Sequence, residues 1–362
     1  MAHLPLTYPQ GMVAPTPRPA LAGIPVYRAG RPAADPASKL SSNELPFDPL
    51  PGVLDRAVAE LRHVNRYPDA GCTALTTALA GHHEVDPDRI AIGTGSVAVL
   101  YALLSAFCGP GDEVVLPWRS FEAYPIAVEL TGAAGVRVPV GADGTHDLAG
   151  MAAAITPRTR AVLVCTPNNP TGPVVTADEL ASLVAAVPPS VLLVVDEAYV
   201  EFVTDPAAAS GPDWLDRENV VVLRTFSKAH GLAALRVGYA LAHAPVAEAV
   251  RKVLPPFGVS DVAQAAAIAS LESLDAMGER VAAVVAERDA VVAGLRGQGW
   301  DVPQAQGNFV WLPLGAEAVE FAAAAQPLSV RAFAGEGVRV TIGLPEVNEQ
   351  FLATTRRWRT GS

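Results

Sequence analysis

The chain has 362 residues, half of them hydrophobic, with a formal net charge of -11 and a pI of about 5.1. That is ample core for two domains, and the acidic balance without a basic block disfavours a nucleic-acid partner. Three scattered cysteines, Cys72, Cys108 and Cys165, form no CxxC pair, no apolar run approaches the roughly 18 residues of a membrane span, and the Pro-rich start lacks a signal peptide's pattern. A disulfide framework, a zinc site and a membrane anchor are therefore not expected, and a reducing cytoplasm is the expected compartment.

Residues 1 to about 38 carry many prolines and read as an extended arm. The segment KLSSNELP, from Lys39 to Pro46, follows and ends in a turn. Helical spacing covers 52–64. Arg66-Tyr67-Pro68 and Asp69-Ala70-Gly71 then form a loop signature, and a second helix fits 73–83. His82 and His83 close that helix. With no third ligand at useful spacing they read as a solvated helix end rather than a metal site.

Residues 89–92 predict a strand that runs into Gly93-Thr94-Gly95-Ser96-Val97-Ala98 and an apolar helix up to Cys108. Strand, glycine turn and helix start together make an anion site, because unpaired N–H groups and the helix dipole point at the ligand. The same residues match GxGxxA, a dinucleotide fingerprint, but a dinucleotide would leave Lys228 without a role. Further strands are expected at 114–116, 161–165, 191–195 and 220–223, with helical patterns between them. Near-continuous apolar strands alternating with helices predict an α/β fold, a mostly parallel sheet covered on both faces. Three of these strands in succession end in polar residues able to meet one ligand: Asn169, then Asp196 with Tyr199, then Lys228.

The stretch VVVLRTFSKAHGLAALRVGY, from Val220 to Tyr239, carries most of the chemistry. Thr225, Ser227 and Arg236 beside Lys228 suit a phosphate, and a lysine amine next to a phosphate site suits covalent attachment of pyridoxal phosphate. The alternative is a surface lysine with an arginine capping a helix. His230 reads as packing. The pair Asp196-Glu197 is open to a metal reading, although an apolar strand ending in DEAY fits a cofactor role better. The break Leu254-Pro255-Pro256-Phe257 predicts a domain boundary, followed by one or two Ala-rich helices over 260–296 and strands at 308–312 and 337–342, a small α+β domain. Trp311 reads as core.

SSNE, NRYPD, PNNPTG, DEAYVEF, RTFSKAHGLAALRVGY and GVRVTIG occur in this order. With them the chain resembles the fold-type I pyridoxal-phosphate aminotransferases, in the branch that contains histidinol-phosphate aminotransferase. WRSFEAYP, FSKAHGLA and NFVWLPLG give a finer likeness to the actinobacterial aromatic-amino-acid aminotransferases. The resemblance runs from about Leu21 to Trp358. It implies an aspartate-aminotransferase-like architecture: residues 1–45 as arm and part of the small domain, 46–254 as the large cofactor-binding domain, and 255–362 as the small domain.

The resemblance also implies pyridoxal 5'-phosphate as cofactor and a role for each matching residue. Lys228 would hold the cofactor aldehyde and later carry the proton. Asp196 would pair with the pyridine nitrogen, Asn169 and Tyr199 would bond the ring hydroxyl oxygen, and Phe121 would stack on the ring, where many relatives have Tyr. The phosphate would be bound by N–H groups of Ser96 and Val97, by Thr225 and Ser227, and by Arg236. Tyr67 would reach it from the second subunit of a homodimer with shared active sites. Tyr27, Asn43, Arg331 and Arg339 would contact substrate, with Arg339 at the family's anion site. Relatives commonly have Asp-Glu where this chain has Val97-Ala98, a departure that fits the aromatic branch better.

The expected activity is transamination between aromatic amino acids and 2-oxoglutarate. Histidinol-phosphate aminotransferase is the alternative in the same fold, and a pyridoxal-phosphate lyase or decarboxylase a further one. An aminotransferase-like sensor domain of a transcription regulator would need a DNA-binding segment, and the residues before Lys39 are too few and too Pro-rich for one. A nicotinamide dehydrogenase rests on GxGxxA alone.

Overall fold

The computed structural model describes residues 15–18, 21, 23, 24, 26, 30 and 33–361. Its larger sheet contains β1 (Ile90–Gly93), β2 (Glu113–Trp118), β3 (Ala134–Pro139), β4 (Thr159–Cys165), β5 (Leu192–Asp196), β6 (Val220–Thr225) and β7 (Gly238–Leu241), in the spatial order β1-β7-β6-β5-β4-β2-β3. Neighbours from β3 through β6 pair in parallel, whereas β7 runs antiparallel to both β1 and β6.

The central strands are apolar at almost every position because both faces are covered. Alternation along the chain divides their side chains between two cores. Val220 and Val222 join Leu193 and Val195 in one, with Leu75 and Leu79 of helix Thr73–His83 and Ala266 and Ala267 of helix Asp261–Leu271. Val221 and Leu223 join Val194 in the other, with Leu100, Leu103 and Leu104 of helix Ser96–Phe107 and Val246 and Val250 of helix Ala244–Val253.

A second sheet, β8 (Phe309–Gly315), β9 (Arg331–Phe333) and β10 (Glu336–Thr341), is antiparallel in the order β8-β10-β9. Helices Leu274–Gly297, Ala318–Ala324 and Pro345–Thr360 pack with it around Phe309, Phe321 and Phe351. Residues 39–43 run beside this sheet: Lys39 bridges Ser329, and Thr341 N donates to Leu40 O at 2.9 Å. Among the described residues no helix is long and apolar enough to cross a membrane.

The mostly parallel sheet between helical layers is as expected, and three strands are additional. β3 is an edge strand with most positions exposed or half-buried, so it has no apolar run. β7 has only four residues, and β9 three. Inserted between β1 and β6, β7 is the antiparallel member of the mostly parallel sheet.

Candidate active site

Because β4, β5 and β6 are parallel neighbours, their carboxyl ends lie along one edge of the sheet, where open α/β sheets bind ligands. A cavity of about 480 Å³ opens there, closed from the other side by residues of β9 and β10. Although the chain is acidic overall, four cations line this cavity (Lys228, Arg236, Arg331, Arg339) against two carboxylates, Asp196 and Glu122. That imbalance suits an anionic ligand.

Asp196, the last residue of β5, is 6% exposed. Its Oδ2 accepts from Tyr124 Oη at 2.8 Å and its Oδ1 from Ala198 N at 3.2 Å. Burial raises its pKa to about 6, while the Tyr124 hydrogen bond pulls the other way by favouring the ionised form. Among the described residues it makes no ion pair. Its neighbour Glu197 is held elsewhere, by the Arg224 guanidinium at 2.6 Å and Gly211 N at 2.6 Å, so the two acids do not form a metal pair.

Tyr199 is buried, and burial pushes its hydroxyl pKa up to about 12. That hydroxyl accepts from Asn43 Nδ2 at 2.9 Å. Asn43 has φ 55° and is fully buried. Its Oδ1 accepts from Thr341 Oγ1 at 3.0 Å, and it is not among the cavity-lining side chains. Asn43, expected as a substrate contact, here hydrogen-bonds Tyr199. Arg339 joins two expected sites: Nη1 donates to Asn169 Oδ1 at 2.6 Å and Nη2 to Ser41 O at 2.7 Å.

Lys228 is half-buried, and its Nζ donates to Ser42 O at 3.1 Å and Asn43 O at 3.2 Å. Burial lowers its pKa to about 7, helped by the positive charges of Arg339 and Arg236 and opposed by Glu44. At one end of the cavity Ser96 begins helix Ser96–Phe107 after Gly95 (φ 87°), so no side-chain cap covers the first N–H groups. A Cβ on Gly95 would lie 2.4 Å from Arg236 Nη2, and one on Gly238 would lie 2.1 Å from Ser96 N. Only glycines allow this approach. Arg236 Nη1 donates to Ser227 Oγ at 3.1 Å, and Ser227 N to Thr225 Oγ1 at 3.1 Å. Ser96, Val97, Thr225, Ser227 and Arg236 all line this end, and Phe121 lines the cavity beside them.

Tyr67, expected to serve the second subunit, lies outside this cavity. It is 82% exposed and stacks on Phe257 with ring centroids 4.8 Å apart. Tyr27 lies outside the described residues. His83 is no solvated helix end: its Nε2 is 2.8 Å from Tyr239 Oη, and burial lowers its pKa to about 3. His230 packs on Phe226 and meets Ser270 Oγ at 2.7 Å, and Trp311 is buried against Phe333. Sequence reasoning missed Tyr124 and Glu122. The available signal was Tyr124 three residues after Phe121, one helical turn on from a ring at a strand's carboxyl end.

The family model described as aminotransferase class I and II matches residues 36–351. The aromatic amino acid aminotransferase of Streptomyces avermitilis is 54% identical over 348 residues, covering 94% of this chain and 97% of that protein. Its namesake in Thermobifida fusca is 52% identical over 347 residues, covering 94% and 96%. Among solved structures, histidinol-phosphate aminotransferase from Sinorhizobium meliloti in complex with pyridoxal-5'-phosphate aligns with a TM-score of 0.85 at 28% identity, over 95% of this chain and 98% of that one. A mutant aspartate aminotransferase of Thermus thermophilus aligns at 0.78 and 25% identity, over 89% and 96%. By match length and by identity to these relatives, the chain is a member of the class I and II aminotransferases.

Proposed function

We propose that this enzyme uses pyridoxal 5'-phosphate to transfer the amino group of phenylalanine, tyrosine or tryptophan to 2-oxoglutarate, giving aromatic 2-oxo acids and glutamate. The observation that carries this reading is one cavity holding a lysine amine of depressed pKa, a buried carboxylate without a protein cation, and an anion cradle at a helix start. The names of relatives at 50% identity and above support the aromatic donor.

The residues fit the cofactor. A buried carboxylate is costly unless it meets a cation, and a protonated pyridine nitrogen is one that Asp196 can hold. The uncapped helix start at Ser96, with the Arg236 guanidinium packed against Gly95 and the Thr225 and Ser227 hydroxyls lining the same cavity, suits a phosphate. Bound there, pyridoxal 5'-phosphate supplies an electron sink for the negative charge left when the substrate α-proton departs. Lys228 Nζ is the group that anchors it and carries that proton, and its lowered pKa keeps the free amine available near neutrality. Tyr199 Oη, positioned by Asn43, and Asn169 Nδ2 would hold the ring hydroxyl oxygen by hydrogen bonds. Arg339 would bind the substrate carboxylate, and Phe121 would cover the ring. Phe121, Phe333 and Tyr101 offer apolar wall to an aromatic side chain.

The working unit in this reading is a cytoplasmic homodimer. Leu54, Val58 and Leu61 recur at i, i+4 and i+7 on an exposed face that continues through Val64 to Tyr67 and Phe257. Such a patch on a free surface indicates a partner, and Tyr67 then serves the partner's phosphate end. Residues 46–254 form the cofactor-binding unit, with helix Asp261–Leu271 packed against its sheet, and 1–45 and the rest of 255–362 serve as arm and small domain.

The deciding experiment compares phenylalanine, tyrosine, tryptophan and histidinol phosphate as donors to 2-oxoglutarate. Burying a phenyl ring contributes about 1.5–3 kcal/mol, so phenylalanine is expected to exceed alanine by roughly one to two decades in kcat/KM. Aromatic donors are expected to lead. A kcat/KM for histidinol phosphate about tenfold or more above that of phenylalanine sinks the assignment.

A further inference from the structure

Two ion pairs tie residues 119–122 to the β9–β10 hairpin, with opposite polarity. Arg119 pairs with Glu336 through both carboxylate oxygens, and Arg331 Nη2 donates to Glu122 Oε2 at 2.8 Å. Only the second pair faces the active-site cavity, where Glu122 and Arg331 stand beside Phe121 and Phe333. The Arg331 guanidinium is 5.7 Å from the Phe333 ring centroid. Arg119 and Glu336 line a separate cavity of about 270 Å³ with Trp118 and Trp311.

We propose that Glu122 is a specificity-determining residue, which sets the preference between apolar and acidic substrate side chains by occupying the Arg331 guanidinium. This rests on the aminotransferase reading above. Without Glu122, Arg331 would present an uncompensated guanidinium, 16% exposed, to the incoming side chain. A planar fork of that kind selects carboxylates. With Glu122 in place, an aromatic ring meets a neutral pair and keeps it intact. A second carboxylate meets a like charge and has to displace or share Glu122. Discrimination then comes from a repulsive element as well as an attractive one. Because the Glu122 side chain is 30% exposed, the pair is cheap to exchange, and 2-oxoglutarate is still admitted.

The test uses holoenzyme and two unreactive ligands titrated by calorimetry: glutarate, a dicarboxylate, and 3-phenylpropanoate, its aromatic counterpart. Glu122→Gln is expected to tighten glutarate about tenfold while 3-phenylpropanoate moves less than about threefold. The kcat/KM ratio of glutamate to phenylalanine as donors should rise in parallel. Glu122→Asp, which keeps the charge and withdraws it by one methylene, should move the ratio in the same direction by less, and it serves if the glutamine variant does not fold. Glu336→Gln breaks the companion pair between the same segments and should leave the ratio within about twofold. An unmoved glutarate-to-phenylpropanoate ratio in Glu122→Gln, or an equal movement in Glu336→Gln, overturns the proposal. Wild-type enzyme that fails to turn over phenylalanine overturns the donor assignment instead, and the binding ratio still decides the role of Glu122.

Discussion

The floor of the cavity and its rim are built on different principles. At the floor, Asp196, Tyr124 and Tyr199 are buried, and Asp196 and Tyr199 have pKa values displaced chiefly by burial. The Asp196–Tyr124 hydrogen bond joins groups positioned by β5 and by the helix after β2, all within one layered core. At the rim, Arg331–Glu122 is a partly exposed pair that joins the segment after β2 to β9. A buried hydrogen-bonded group is costly to disturb, and a solvated pair is cheap. On the proposed function, the floor sets rate for every substrate, and the Glu122–Arg331 pair at the rim selects among substrates.

Removing the amine gives the largest expected effect. Lys228→Ala should lower kcat by about 1000-fold or more for aromatic and acidic donors alike, because anchor and proton carrier are lost together. Borohydride should then no longer fix the cofactor to the chain, and mass spectrometry of the labelled peptide checks this. In wild-type apoprotein the labelling rate has a pH signature. A lysine whose pKa falls from 10.5 to about 7 is protonated below that pH and free above it, so labelling should rise through about pH 7 and then level off. A rate still climbing at pH 10 would contradict the lowered pKa.

Asp196→Asn comes next, with kcat down about 100- to 1000-fold and the phenylalanine-to-glutamate ratio unchanged. A shift in that ratio would blur the division between floor and rim. Tyr124→Phe is milder, about tenfold, since one hydrogen bond to a charged group is lost. The Tyr124 bond lowers the Asp196 pKa, so its removal raises that pKa and the loss should be greater at pH 6 than at pH 8. The smallest signal concerns the exposed edge. Mixing Lys228→Ala with Tyr67→Phe subunits should restore about a quarter of wild-type sites, because half the dimers are mixed and each has one intact site. No recovery after verified subunit exchange would remove Tyr67 from the partner's site.

Legibility in the sequence follows the same division. Asn169, Asp196 and Lys228 could be read because each breaks an apolar run at its carboxyl end, and Ser96 because glycines mark the turn before it. Tyr124 was hidden inside helix Ala123–Thr131, where five of nine residues are buried and a tyrosine looks like core. Its role depends on where β5 places Asp196. The Glu122–Arg331 pair joins residues 209 positions apart and exists only through the seating of one sheet on the other. Asn43 was legible as important, yet the target of its side chain depends on the same seating. β7 carried too few residues to announce its direction.

The loop 226–237 has a consequence for how this enzyme can vary. It leaves β6 and enters β7 at the same edge of the sheet, where Thr225 pairs with Gly238. It is closed on itself by Phe226 N to Val237 O at 3.1 Å and Leu232 N to Phe226 O at 2.9 Å. Lys228 and Arg236 thus sit on one ring of chain with both ends fastened, and their spacing is independent of any hinge. For an engineer this is a constraint on length more than on composition: apolar residues within the ring can be exchanged, whereas a single inserted residue would carry the amine out of reach of the anion cradle.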